Sequence, residues 1–248
     1  MKGFVPVLKR ELLALFVTPI AWFLIACFAL LEGFFFFSVL VSFASAQDVL
    51  VGMGPAEVFF GQSIFFHLPI MLICPVLTMR TFAEERRTGT IEALLTAPVT
   101  PTAVVLGKYG ATLAVYVAMW FPTVLYMILL ARFGEVDWRV IGTAYAGVFM
   151  LGAAYLSVGT LASSLTSSQL AAAVGSTIFF LVLLLAGYAG QLAGEGTLAD
   201  VSSYTSVSAL MSDFSRGLID TRRLVFWGTF IVVPLFATVR TVESWRWG

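Results

Sequence analysis

Charge is what this chain has least of. Of its 248 residues only 11% are Asp, Glu, Lys or Arg, while 60% are hydrophobic. A soluble domain carries about 25% charged residues, so the sequence excludes an ordinary water-soluble fold and reads as an integral membrane protein, in keeping with a mean hydropathy of +0.97. Fourteen basic and fourteen acidic residues cancel, so no excess of positive charge points to nucleic acid. Cysteine is scarce. Cys27 and Cys74 both fall in apolar runs, where they read as small packing groups rather than a disulfide or a metal site. Histidine occurs once, and no cluster of Cys, His and carboxylate offers a metal site. Catalytic signatures are missing too: there is no HExxH and no GxSxG. Gly107-Lys108 is followed by Tyr109, so the GxxxxGK[ST] loop that cradles nucleotide phosphates is absent. Any ATP-driven work needs a separate nucleotide-binding subunit.

What is present is a series of long apolar runs. Six spans satisfy the roughly 17–25 residues that a membrane crossing needs: about Pro19 to Ser45, Val58 to Met79, Tyr109 to Leu130, Val140 to Ala162, Leu170 to Leu192, and Leu224 to Val239. The last is the shortest and holds Pro234. Prolines at 69, 75, 122 and 234 suggest kinks or wide turns, tolerated where neighbouring helices satisfy the freed carbonyls. Residues 1–17 place Lys2, Lys9, Arg10 and Glu11 among Phe4, Val5, Leu8, Leu12, Leu15 and Phe16, which suits an interfacial helix with its basic side on lipid headgroups. Thr18 and Pro19 form a favoured start pair for the first span. A signal peptide is the rival reading of this region, with Ala44-Ser45-Ala46 as a cleavage site, but the apolar run is about twice the 7–15 residues expected of one.

Between the second and third spans lies the longest charged interruption, Leu77 to Pro101, with Arg80, Glu84, Glu85, Arg86, Arg87 and Glu92. Each charge would cost about 2.5–3.5 kcal/mol at the centre of a bilayer, so the stretch lies in water. Ile91, Leu94 and Leu95 share one helical face. Thr81 stands at capping-box spacing from Glu84, and Pro98 and Pro101 end the helix. The pattern fits either a short amphipathic helix resting on the bilayer surface or one whose apolar stripe docks on a soluble partner.

The string MRTFAEERRTGTIEALLTAPV, followed by LGKY at Leu106 to Tyr109, resembles the cytosolic segment of type-2 ABC transporter permeases, closest to their gliding-motility-associated and copper-accessory branches. GTLASSLTSSQLAAAVGS and SALMSDFSRGLIDTRRLVFW resemble, respectively, the family's tight return between the fourth and fifth spans and the stretch before the last span. The resemblance implies an all-α fold over residues 1–248: six transmembrane helices, an interfacial helix at 1–17, a coupling segment at 80–101 and an outer re-entrant or amphipathic segment at 193–223. It further implies docking of an ATPase subunit through Glu84, Glu85, Arg86, Arg87, Thr88, Gly89, Thr90, Ile91, Glu92, Leu94, Leu95 and Pro98. No cofactor is expected in this chain; ATP and magnesium belong to the partner ATPase. A second permease subunit, alike or different, completes such a complex, and a membrane protein with an extracytoplasmic domain is a further expected partner.

Nine Lys and Arg residues fall on one side of a six-span arrangement and five on the other. By the positive-inside rule both termini and the coupling segment face the cytosol; the resemblance implies that the membrane is a bacterial inner membrane. In the segment before the last span, Tyr204, Val207, Leu210, Met211, Phe214 and Leu218 recur at helical spacing, as an amphipathic helix in the outer leaflet would, with a break at Gly217. Two polar residues stand inside spans: Glu32 in the first and His67 in the second. An intramembrane carboxylate is costly and a functional candidate by default; a buried histidine is more often a packing residue. Three functions fit these features: the permease subunit of an ATP-driven transporter, a mechanotransmitting scaffold that passes no substrate, and a membrane enzyme using Glu32 and His67. The missing catalytic motifs weigh against the last.

Overall fold

The computed structural model describes residues 3–45, 54–61, 64–91, 98–133, 136–192, 202 and 205–245. Every regular element among them is helical: α1 (Phe4–Val17), α2 (Pro19–Ala44), α3 (Pro55–Gly61), α4 (Ile64–Thr78), α5 (Ala83–Thr88), α6 (Pro101–Phe133), α7 (Trp138–Leu165), α8 (Gln169–Leu192), α9 (Val207–Ser215) and α10 (Thr221–Ser244). Six stretches are long and apolar enough to cross a bilayer: Pro19–Ala44, Phe66–Thr88, Pro101–Arg132, Trp138–Leu165, Gln169–Tyr188 and Thr221–Ser244.

α7 is the hub, packing against α4, α6, α8, α9 and α10. Its buried face is built from small residues, among them Ala144, Gly147, Gly152, Ala154, Ser157 and Gly159. Without a hydrophobic drive between helices in lipid, association depends on close backbone approach, which small residues permit. Two positions show it: a Cβ on Gly152 would strike the Tyr116 ring, and one on Gly159 would strike Thr78 Oγ1. Tyrosines of α6 then tie the seam, Tyr109 and Tyr116 donating to the carbonyls of Ala153 and Val148, each at 3.1 Å. Toward α8, Tyr155 of α7 stacks on Phe180 at 4.1 Å. By contrast α2 fully buries only Ala21, Phe28, Glu32 and Phe36, one narrow stripe flanked by the partly buried Leu24, Ile25, Phe35 and Leu40.

Several sequence expectations need correction. The sixth span is not short: α10 runs 24 residues. It begins where the Asp220 side chain accepts the Arg222 amide at 2.9 Å, an N-cap that extends the helix upstream, and it continues past Arg240, which pairs with Glu243 at 2.9 Å. The carbonyl freed by Pro234, that of Phe230, accepts the Ser157 hydroxyl of α7 at 3.3 Å, the neighbour's compensation that membrane prolines require. The third span is longer than Tyr109 to Leu130, because Pro101 opens α6 rather than closing the helix before it. Proline is favoured at a first helical turn, and Thr100 Oγ1 accepts the Ala103 amide at 3.2 Å. The expected Val58 to Met79 span is divided between α3 and α4. Thr18 precedes Pro19 but does not cap it; its hydroxyl donates back to the Ala14 carbonyl at 2.6 Å.

The amphipathic segment before the last span is α9, and its apolar stripe is not spent on lipid. Val207, Leu210, Met211 and Phe214 are buried against α3 and α7. Thr143 Oγ1 of α7 donates to the Phe214 carbonyl at 2.8 Å. The chain does turn at Gly217, with φ +77°. Tyr204 lies outside the described residues.

Candidate functional site

The site begins where α4 ends. Thr78 and Thr81 turn their hydroxyls back into the chain, Thr78 to the Cys74 carbonyl at 2.8 Å and Thr81 to the Thr78 carbonyl. Thr81 therefore does not cap the next helix, and the expected capping box with Glu84 does not form. α5 is capped instead from eighty residues away. Ser163 Oγ of α7 accepts the amides of Phe82 and Ala83, both at 3.1 Å, and donates to the Met79 carbonyl at 3.1 Å. One hydroxyl thereby satisfies two of the donors that a helix N-terminus leaves over. At its other end α5 stops after Thr88 because Gly89 adopts φ +73°, a left-handed conformation that glycine takes without a steric penalty. The helix is six residues long, and the expected single helix carrying both the charges and the Ile91 stripe is not what forms.

Its side chains face three ways. Glu85 points inward to a cluster of four charges drawn from three elements. Lys108 of α6 is only 2% exposed, and its Nζ lies 2.8 Å from Glu85 Oε1 and 3.1 Å from Glu11 Oε1 of α1. Arg10 reaches Glu11 at 2.5 Å and Glu85 at 3.4 Å. The Lys108 ammonium also stands 5.5 Å from the centre of the Phe82 ring, within cation–π range. Burial opposes the charge on Glu11, yet Lys108 and Arg10 outweigh it, so the carboxyl titrates below its ordinary range. The hydrogen bond to Glu11 holds the Arg10 guanidinium above its usual value. Arg10 and Glu11, read from sequence as part of a lipid-facing basic side, are thus turned toward Lys108. α1 can come this close because Gly107 lies under Val7: a Cβ there would sit 2.8 Å from Val7 Cγ1.

Arg86 is spent on the bundle as well. It donates to the Ser164 carbonyl at 3.1 Å and lies over the Trp245 ring at 5.1 Å, so the end of α10 meets α5. Ile91 packs, half-buried, on Phe82, Val104, Val105 and Val242. Glu84 and Arg87 form an outward pair at 2.9 Å, and Thr88, Gly89, Thr90 and Pro98 are exposed. Arg80, Glu84 and Arg87 border, with Ser167, Ser168, Gln169 and Leu170, a recess of about 680 Å³ between α5 and the α7–α8 turn. Of the expected docking residues, Glu92, Leu94 and Leu95 lie outside the described residues.

The two intramembrane candidates stand apart from this junction. His67 is buried beside Phe66, the ring centres 5.3 Å apart. Glu32 is fully buried. Cys27 and Cys74 are both free.

Sequence reasoning passed over Ser163 and Lys108. The first looked like part of a plain turn, and the second stood in an apolar run with no charge near it in sequence. The signal for Lys108 was its place in the LGKY string.

A family model described as ABC-2 family transporter protein matches residues 52–216, from before α3 to the end of α9. The chain belongs to this family. It is therefore an ABC-2 permease, a multi-pass membrane subunit of a kind that is normally non-catalytic, and membership implies, in general terms, an ATPase partner and dimerisation. A search of curated proteins found no match. In an ABC-2 permease the junction just described joins the segment between the second and third spans to α1, α6, α7 and α10.

Proposed function

We propose that this ABC-2 permease couples ATP binding and hydrolysis on a separate subunit to movement of its membrane helices, and that the ATPase docks beneath residues 80–101. The observation that carries this reading is the division of labour across α5 and the residues that follow it. Glu85, Arg86 and Ile91 are engaged by the permease's own helices, while Glu84, Arg87, Thr88, Gly89, Thr90 and Pro98 are left on the surface beside a polar recess. A push on that surface is passed to four helices through bonded contacts rather than along a flexible loop. Leu94 and Leu95 supply the apolar contact to the ATPase and Glu92 adds charge to its register. ATP and magnesium bind the ATPase, the docking face is cytosolic, and both termini lie on that side of a bacterial inner membrane. The MRTFAEERRTGTIEALLTAPV string supports placing the chain in the gliding-motility-associated or copper-accessory branch; the second permease subunit is a copy or a different protein, and the likeness to the gliding-associated branch favours a distinct partner with an outer domain.

The test is a mild-detergent pull-down of the tagged chain with mass spectrometry. Wild type brings down an ATPase carrying a Walker motif; Leu94→Asp releases it while the permease keeps its melting temperature. Unchanged co-purification and ATP turnover in Leu94→Asp refute the docking assignment.

A further inference from the structure

α2 attaches to the bundle by the stripe Ala21, Phe28, Glu32 and Phe36, and one member of it is an acid. Phe28 and Phe36 stand one turn to either side of Glu32 on the same helical face. Phe28 meets the Trp120 ring edge-on at 4.9 Å, and Phe36 stacks on Tyr126 at 5.5 Å. Tyr126 and Tyr145 stand within electrostatic reach of the carboxyl. Their hydroxyls are already committed, Tyr126 to the Ala29 carbonyl at 2.7 Å and Tyr145 to Thr123 at 2.7 Å. Both Glu32 carboxyl oxygens are buried and have no hydrogen-bond partner among the described residues. The chain's buried cation, Lys108, is held by Glu11 and Glu85.

A buried acid on a stripe of aromatic side chains, with neither oxygen bonded to a described residue, is complementary to one class of ligand. Aromatic rings attract a positive centre once water is excluded, and the carboxylate, costly when unpaired in hydrocarbon, is relieved by it. We propose that Glu32, with Phe28, Phe36, Trp120 and Tyr126, is an intramembrane recognition site for a lipophilic monovalent cation, an apolar body bearing one positive centre. The ligand reaches it from the bilayer. The opposite face of α2 exposes Leu30, Leu31, Phe34 and Phe37 to lipid, and Glu32 is reached by parting α2 from α6. That the bound cation is cargo rests on the permease reading; the binding itself does not.

The probe is tetraphenylphosphonium, measured on the purified chain in phosphatidylcholine nanodiscs without any ATPase. Tetraphenylborate, nearly the same shape with the opposite charge, serves as control. Wild type binds the phosphonium saturably, Glu32→Gln weakens binding at least tenfold, Glu32→Asp retains part of it, and the borate does not saturate. In wild type the phosphonium also slows modification of Glu32 by a hydrophobic carbodiimide, a readout that does not depend on any variant folding. Equal affinity in Glu32→Gln, equal binding of the borate, no saturable phosphonium binding, or modification that ignores the phosphonium each overturns the proposal. Because the ATPase is absent, these outcomes are independent of whether one co-purifies.

Discussion

The acids of this permease are treated in opposite ways in two places. At the junction, Glu85 and Glu11 meet Lys108 and Arg10 within 3.4 Å, and opposite charges drawn from α1, α5 and α6 cancel. In the first span, Glu32 is buried more completely and its oxygens have no bonded partner among the described residues. A protein seals a charge where the structure is to stay shut and leaves one unsealed where something else is to complete it. The contrast teaches that burial alone does not mark a site. The missing partner does.

The comparison breaks most sharply at Lys108. Lys108→Met leaves two inward carboxylates facing each other, and removing one member of a buried charge group costs about 3–5 kcal/mol. The melting temperature should fall accordingly, and combining it with Glu11→Gln and Glu85→Gln should restore most of the loss. Glu32→Gln, in the same assay, should shift stability by less than about 1 kcal/mol, because no bonded partner is orphaned. Should Lys108→Met melt like wild type, the cluster is not what holds the junction.

Ser163→Ala comes next. It strips an acceptor from the Phe82 and Ala83 amides and a donor from the Met79 carbonyl, all buried, at about 1–3 kcal/mol. Hydrogen exchange should rise at the start of α5 and not around Glu32; uniform exchange across both regions would contradict the local cap.

The smallest effect is that of pH. Glu11, faced by Lys108 and Arg10, titrates lower when folded than an ordinary glutamate, so the unfolded chain binds the extra proton first as pH falls. The stabilisation is complete above the ordinary glutamate range and is lost as pH drops through the lower, folded value. Proteolytic release of α1 should increase over that acid interval in wild type, and the increase should vanish in Glu11→Gln.

How much of this was legible in the sequence follows the range of the interactions. Span positions are set by runs of apolar residues within one helix, so the first, fourth and fifth could be read to within about one turn at either end. The cap of α5 could not, since Thr81 has the right local spacing and Ser163 wins from a different helix. The start of α10 was missed because Arg222 and Arg223 look like a loop until Asp220 caps them and Arg223 finds Asp213 at 2.9 Å. For the docking segment, residue types showed which side chains are polar but not which ones the bundle itself consumes. Glu85 and Glu84 are adjacent and chemically identical, yet one is bound inward and the other lies at the surface. Glu32 was visible at once as an acid among phenylalanines; that its oxygens go unmatched depends on α6 and α7 and could not be read from α2.

The junction also has a place in time. Glu11 and Lys108 are separated by 97 residues, and synthesis at about 5–20 residues per second sets roughly 5–20 s between their appearances. During that interval α1 has no α6 to lie against, and its Arg10 and Glu11 have only each other. The first two spans must therefore enter the bilayer before the platform beneath them exists, and the arrival of the third helix, with its single buried lysine, is the step that closes it.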